Sequence, residues 1–233
     1  MANTHSLDFD SGITNYMFRL DTALSSGFPG KNVGGHTGDF TIEAWVKPET
    51  TTGTMDISKK RNIVGSDNGW NFFISTDNRV RMAYYDAGAT SSANTNGAVV
   101  TDGVWTHVAC TVDVSSATFT FYVDGASVAH TVTNSAATAI GVNVGLFDVS
   151  SDTDPFNGKI DDFRIWSDIR TSGEISANYN KELTGSEANL EGYYKFNNDL
   201  LDSTSNGNDL TNNGATDFDL DPAFSSRRVF TVS

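Results

Sequence analysis

The chain has 233 residues, 38% hydrophobic and 19% charged, the balance of a globular protein able to bury a sizeable core. Its formal net charge is −14, from 15 basic and 29 acidic residues, and such a surface repels nucleic acid and anionic membranes. No apolar run is long enough to span a bilayer, and a single cysteine, Cys110, excludes an internal disulfide framework.

The opening, MANTHSLDF, lacks the basic and apolar regions of a secretory signal. A native start at Met1 implies synthesis in the cytoplasm, with exit by lysis or a leaderless route. Residues 6–20 predict a short strand, a turn at Ser11–Gly12 and a second strand. Residues 25–38, with five glycines and a proline, predict a loop. Phe40–Lys47 alternates cleanly, with Phe40, Ile42, Ala44 and Val46 on one face and Thr41, Glu43, Trp45 and Lys47 on the other.

Residues 49–60 read as a Thr-rich polar loop and 86–97 as a loop of small polar residues. Asn62–Ser75 and Arg79–Tyr85 read as strands around the turn Thr76–Asn78. Val104–Asp113 is a strand in which Cys110 alternates with Val108 and Val112, the setting of a buried structural thiol. Asp124–Gly125 joins Ala117–Val123 to Ser127–Thr133, since both turn residues tolerate positive φ. Ile140–Phe147 reads as a further strand and Ser150–Pro155 as an acidic loop.

Phe156–Trp166, FNGKIDDFRIW, is the strand on which the reading turns. Phe163 and Ile165 share one face, and Asp161 falls in the same row. A carboxylate at the end of a core-facing row needs a partner, either a cation or a set of backbone N–H groups. Thr171 and Glu174 have capping-box spacing ahead of a helix over Ile175–Leu183. Leu190–Phe196 is a strand, and residues 202–209 are a dense turn cluster. These elements predict an all-β chain, a two-sheet antiparallel sandwich of roughly a dozen strands with one short helix.

The motifs LDFD (7–10), FTIEAWVKP (40–48), DGVWTHVACTVD (102–113), FTFYVDG (119–125), FNGKIDDFRIW (156–166), EGYYKF (191–196) and DSTSNGNDL (202–210) follow one order. In that order they resemble the laminin-G-like, concanavalin A-like jelly-roll family. The resemblance covers about residues 6–212 and implies one jelly-roll domain over 1–224, with 225–233 as a C-terminal tail. It is specific for the fold and unspecific for function.

The resemblance also implies a structural calcium. Asp161 matches its aspartate, and Asp10, Asn15 and the backbone around Gly38–Asp39 match other ligands; such hard oxygens suit Ca2+. The alternative is Asp161 held by backbone N–H groups. Asp202, Asn206 and Asn208 offer a second oxygen site, or a turn closed by Asx bonds.

Members of this superfamily that cleave β-glucans carry Glu-x-Asp-x-x-Glu or Glu-x-Asp-x-Glu on one strand, because two carboxylates must flank the glycosidic bond. Neither string occurs, and Glu43 stands alone on its strand. His5, His36, His107 and His130 have no zinc spacing, and no G-x-S-x-G or phosphate loop is present. The chain is therefore expected not to be an enzyme. Sugar binding would draw on Asn68, Trp70, Tyr84, Tyr85, Phe147 and Asp148, although Trp70 and Tyr84 alternate as core residues do.

The expected function is a lectin-like structural or adhesion protein of a virus particle, such as a bacteriophage decoration, fibre or tail-tip module. Its partners would be itself, a capsid or tail protein, or a cell-surface glycan, with no nucleic acid or membrane. The alternatives are a carbohydrate-binding module of an extracellular bacterial protein and, with its paired carboxylates missing, a glycoside hydrolase. The tail Ser225–Ser233 carries Arg227, Arg228 and Phe230 in a strand-like pattern. It can pair with an edge of its own sheet or of a neighbour's.

Overall fold

In the computed structural model, residues 3–9, 15–63, 66–214 and 217–224 are described. The first strands are β1 (Ser6–Phe9), β2 (Tyr16–Arg19), β3 (Phe40–Pro48), β4 (Met55–Asn62), β5 (Asn68–Ile74), β6 (Val80–Asp86), β7 (Ala89–Thr95) and β8 (Thr106–Asp113). Then come β9 (Thr118–Val123), β10 (Ala126–Val128), β11 (His130–Ser135), β12 (Phe147–Val149) and β13 (Gly158–Trp166). Helix α1 (Ser172–Asn178) precedes β14 (Leu190–Tyr194), β15 (Thr211–Asn213) and β16 (Asp217–Asp219).

Sheet I runs β10-β9-β8-β3-β13-β1-β16, with β14 paired to the far end of β13; sheet II runs β11-β7-β6-β5-β4-β12-β2-β15. The central pairings are antiparallel. This is the two-sheet sandwich that the alternation predicts, in the jelly-roll form that the family resemblance implies. Phe40, Ile42, Ala44, Val46, Cys110 and Phe163 of sheet I meet Ile57, Trp70, Phe72, Tyr84 and Phe147 of sheet II in one core. Phe147 touches Phe28, Trp70, Phe163 and Tyr194, with ring centroids 4.8–6.3 Å apart, so one ring ties the two sheets together. Burying each such ring contributes on the order of 2 kcal/mol. Cys110 is buried, and desolvation pushes its thiol pKa well up, so it is a packing residue and no nucleophile.

Local signals hold where local chemistry decides. Asp124 and Gly125 take φ values of 47° and 78°, closing the β9–β10 hairpin. Thr171 and Glu174 form the capping box, but α1 ends at Asn178, short of Leu183. Both expected polar loops contain strands. Residues 55–62 form β4 although they carry Asp56, Lys59, Lys60 and Arg61, and residues 89–95 form β7 from small polar residues.

Conversely, Ile140–Leu146 is not a strand; apart from an isolated bridge between Asn143 and Lys31, pairing starts at Phe147. Lys60 explains that segment. Its side chain is fully buried, and Nζ donates to the carbonyls of Asn143 and Gly145, both at 2.7 Å, and lies 3.0 Å from Asp21. The loop carbonyls turn towards this ammonium and are not free for a ladder.

Asp161 also departs from expectation. Ile160 pairs with Val46 and Asp161 with Trp45, but Arg164 pairs with Glu43, so one extra residue sits between them. Asp162 occupies it with φ 47°. This bulge restarts the alternation, so Asp161 faces outward with Trp45 and away from the row of Phe163 and Ile165.

Candidate functional site

The outer faces of the two sheets differ. On sheet I, Ile175 of α1 packs on Ala109 and Tyr122. Trp45 Nε1 donates to the Tyr179 carbonyl at 2.7 Å, and the Tyr179 and Phe224 rings each lie 6.0 Å from the Trp45 ring. Beneath this cover Glu43, His107, Asp162, Arg164, Trp166 and Tyr193 form a buried polar network. Glu43, the one carboxylate on β3, is thus the centre of a cluster drawn from neighbouring strands, and the cluster is shut away from solvent.

Among the described residues no α-helix covers the outer face of sheet II, although Asp56, Asn71, Ala83, Tyr85, Asn94 and Asp148 are buried there. Strand register lines up three rows across it. Arg61, Gly69, Tyr85 and Thr90 make the first, and Phe18, Asp148, Lys59, Asn71, Ala83 and Ser92 the second. Asp56, Phe73, Arg81 and Asn94 make the third. A hollow of about 460 Å³ opens over β4 and β5, lined by Asp56, Lys59, Arg61, Asn71, Asp152 and Asp154 among others. A smaller one of about 140 Å³ lies beside it, against Phe73, Arg81, Tyr85 and Asn94. Another hollow, of about 410 Å³ near Glu182 and Lys195, stands largely on loops and lacks this rigid floor.

Asn71 and Tyr85 join the two hollows. Tyr85 Oη donates to Asn71 Oδ1 at 3.1 Å, and Asn71 also hydrogen-bonds Asp56. The Arg61 guanidinium lies 3.9 Å over the Tyr85 ring and grips Asp67 through two bonds of 2.8 and 2.6 Å. Gly69 makes this possible. It stands between them in register, and at its φ of 105° a Cβ would lie 1.8 Å from the Lys60 carbonyl oxygen. Lys59 Nζ donates to Asp152 at 3.2 Å and Thr153 at 3.0 Å, and stands 3.9 Å from Asp56 and 4.0 Å from Asp148.

The face is unusual in its protonation. Burial pushes the Asp148 carboxyl up to about 7; Lys59 opposes this, and Asp152 and Asp56 add to it. Burial likewise carries Asp56 to about 6 against Ser151, Lys59 and Asn71, with Asp154 adding to the rise. Asp148 Oδ1 is buried and has no hydrogen-bond partner among the described residues. The floor therefore offers carboxyl groups that accept or donate hydrogen bonds near neutral pH.

Of the residues expected to bind sugar, Tyr85 and Asp148 belong to this face. Trp70 and Phe147 do not: both are fully buried in the core, and Trp70 Nε1 donates to the Pro29 carbonyl at 3.0 Å. Asn68 clasps a turn, accepting from Ala87 N at 2.7 Å. Asn71, Phe73, Lys59 and Arg61 were missed in the sequence. Their signal was the period-two placement of Asn71 and Phe73 between the core residues Trp70, Phe72 and Ile74, which assigns them to the other face.

Among the described residues, the expected calcium ligands Asp161, Asn15 and Asp39 are held on separate elements. Asp161 accepts hydrogen bonds from Asn3 Nδ2 at 2.7 Å and from the backbone N–H groups of Ala223 and Asp162, both at 2.8 Å. Burial pushes its pKa well up, and the Asp162 charge adds to this. Asp39 precedes β3 at the end remote from the Trp45 pairing, about 20 Å away on strand geometry. Its Oδ1 accepts from Val114 N. Asn15 leads into β2 of the other sheet. Asp10 lies outside the described residues, as do Arg227, Arg228 and Phe230 of the tail. No cluster of three acidic, His or Cys side chains suited to a metal occurs among the described residues.

The second set is a turn clasp. Asp202 accepts from the backbone N–H groups of Tyr193, Thr204 and Asn208, while the amide nitrogens of Asn206 and Asn208 point at the carbonyls of Leu190 and Glu191. Donors aimed inward do not make a cation site.

Comparison with known proteins agrees with this architecture. Residues 21–176 match the family model of the concanavalin A-like lectin/glucanases superfamily. No curated protein matches the chain by sequence. A candidate carbohydrate-binding protein from Bacteroides ovatus is similar in structure, with TM-score 0.68 and 20% identity over 94% of this chain and 60% of that one. The chain thus spans three fifths of the length of that relative. The native heptameric SAP-like pentraxin of Limulus polyphemus has TM-score 0.62 and 11% identity, covering 94% of this chain and 95% of the other. The CBM40 of the Ruminococcus gnavus IT-sialidase, bound to α2,3-sialyllactose, has TM-score 0.52 and 14% identity over 76% and 97%.

Proposed function

The chain belongs to the concanavalin A-like lectin/glucanases superfamily, and on that premise we propose that it is a non-catalytic lectin-like protein that binds glycans on the outer face of sheet II. The observation that carries this is the contrast between the faces. Sheet I is covered by α1, Tyr179 and Phe224, whereas sheet II has no such helix among the described residues and sets half-buried Phe73 with buried Asn71 and Tyr85 on rigid strands beside a hollow of about 460 Å³. Phe73 supplies an aromatic surface, and Asn71, Asp56 and Asp152 supply hydroxyl-binding groups.

The preferred ligand is a neutral, hydroxyl-rich glycan. Lys59 and Arg61, the cations lining the hollow, are held by Asp152 and Asp67. Neither is spare for the carboxylate of an acidic sugar such as the sialyllactose on the Ruminococcus gnavus module. Binding without hydrolysis fits the position of Asp148, 4% exposed and behind Lys59, where it cannot flank a glycosidic bond together with Asp56.

Glycan binding is preferred over the virus-particle reading because it has a surface to act on. The particle-attachment reading leans on residues 225–233, which lie outside the described residues. A glycan array carrying neutral and sialylated oligosaccharides tests the proposal. Binding to neutral glycans, lost by about tenfold or more in Asn71→Ala when both proteins are assayed well below their melting transitions, is expected. Binding confined to sialylated glycans, or unaffected by Asn71→Ala, overturns it.

A further inference from the structure

The floor of sheet II holds a carboxyl group whose own needs are unmet. Asp148 stands directly opposite Lys59 in the β12–β4 register, with Phe18 of β2 on its other flank. It is 4% exposed, and its Oδ1 has no hydrogen-bond partner among the described residues. A carboxyl so placed is either neutral or paired with a cation that comes to it, because an unpaired buried charge is costly. The Lys59 ammonium lies 4.0 Å away, outside hydrogen-bond reach. It is turned to the loop after β12, donating to Asp152 at 3.2 Å and to Thr153 at 3.0 Å. This is the arrangement that a neutral Asp148 permits.

The surrounding groups leave Lys59 as the cation that can answer an ionised Asp148. Lys60 is pinned by Asp21 and by the carbonyls of Asn143 and Gly145, and Arg61 is gripped by Asp67. Tyr16 and Phe18 of β2, and Thr211 of β15 beyond them, add no cation. The other charged groups are acids: Asp56 of β4, and Asp152 and Asp154 of the loop. Asp56 differs from Asp148 in having its own donors, Ser151 and Asn71, so its ionisation asks for no movement. Burial carries the Asp148 carboxyl up to about 7, so the choice between its two forms falls near neutrality.

We propose that Lys59 moves between two acids, Asp152 on the rim and Asp148 in the floor, and that this exchange regulates glycan binding on sheet II. A proton leaves Asp148 for solvent, and Lys59 keeps its own. A shift of about 1 Å then brings the ammonium to the new carboxylate at ordinary ion-pair distance. The bond to Asp152 yields, because that side chain is 59% exposed and an exposed pair contributes little beside a buried one. The released Asp152 carboxylate, which lines the hollow, is free to accept from sugar hydroxyls, so affinity rises with pH. The regulatory consequence rests on the glycan reading; the exchange itself does not.

Two measurements test it. The first follows the backbone amides of Asp152 and Thr153 in 15N–1H spectra of the unliganded protein from about pH 5 to about pH 9. A step near neutrality is expected in the wild type and in Asp56→Asn. It is lost in Asp148→Asn, which holds the neutral form, and in Lys59→Met, which removes the moving cation; either variant carries the test by itself. The second is calorimetry with a neutral oligosaccharide that binds on the array. Between about pH 6.5 and about pH 8.5 the wild-type affinity is expected to rise about fivefold, and that of Asp148→Asn to stay level. Amides without the step, or a step that persists in Asp148→Asn, overturn the exchange whether or not a glycan binds. A step in the amides with level wild-type affinity overturns the regulation. Absence of glycan binding at every pH sinks the glycan reading and the regulation with it, and the amides still decide the exchange.

Discussion

Glu43 and Arg164 stand opposite each other on the two central strands of sheet I, both buried, with Glu43 Oε1 3.5 Å from the guanidinium. Burial by itself would raise the Glu43 pKa. Arg164, then His107 and the Trp166 indole, more than offset it and hold the carboxyl at about 2. Glu43→Gln removes the charge that these donors share and leaves Arg164 with Asp162 as its remaining anion. A loss of about 3 kcal/mol or more in urea unfolding is expected, with glycan affinity unchanged. A loss under about 1 kcal/mol would show that the network contributes little.

Stability should pass through a maximum in mildly acidic solution. Burial raises Asp148 to about 7 and Asp56 and Asp162 to about 6, from an ordinary value of 3.8. Between those limits the native state binds more protons than the unfolded chain, so stability falls as pH rises through the window. Glu43 acts in the opposite sense: its contribution is complete above 4.5 and is lost as pH falls towards 2. Melting temperature is therefore expected to rise by a few degrees from about pH 8 to pH 5 and to drop below about pH 4. A steady decline from pH 8 downward would contradict these protonation states.

Calcium removal should leave the fold unmoved. Asp161 is satisfied by Asn3 and two backbone N–H groups, and Asp202 by three. Equal melting curves with EGTA and with added Ca2+ are expected. A clear drop in EGTA that Asp161→Ala abolishes would restore the metal.

The sandwich was legible because Phe40–Val46 and Val108–Val112 alternate without interruption, and because Asp124–Gly125 and Thr171–Glu174 are settled by local backbone chemistry. The proposed binding face was hidden by two irregularities. Residues 55–62 carry four charged side chains, and the register shift between Asp56 and Ser58 breaks their alternation, so a strand reads as a loop. Within it Lys60 turns inward to Asp21, a long-range partnership that periodicity cannot announce. The bulge at Asp162 misled in the other direction, placing Asp161 in the core row from which one extra residue had removed it. Trp70 and Phe147 show the general difficulty: their aromatic rings suit a sugar and a core equally well, and only packing decides.

The most direct test of the glycan-binding face is a 15N–1H correlation titration of the wild-type protein with a neutral oligosaccharide that binds on the array. Shifts concentrated at Arg61, Asn71, Phe73 and Tyr85, with Trp45 and Tyr179 of the covered face unmoved, are the predicted result. Shifts centred on sheet I or on the turn at Asp202–Asn208, with Asn71 and Tyr85 silent, would contradict it.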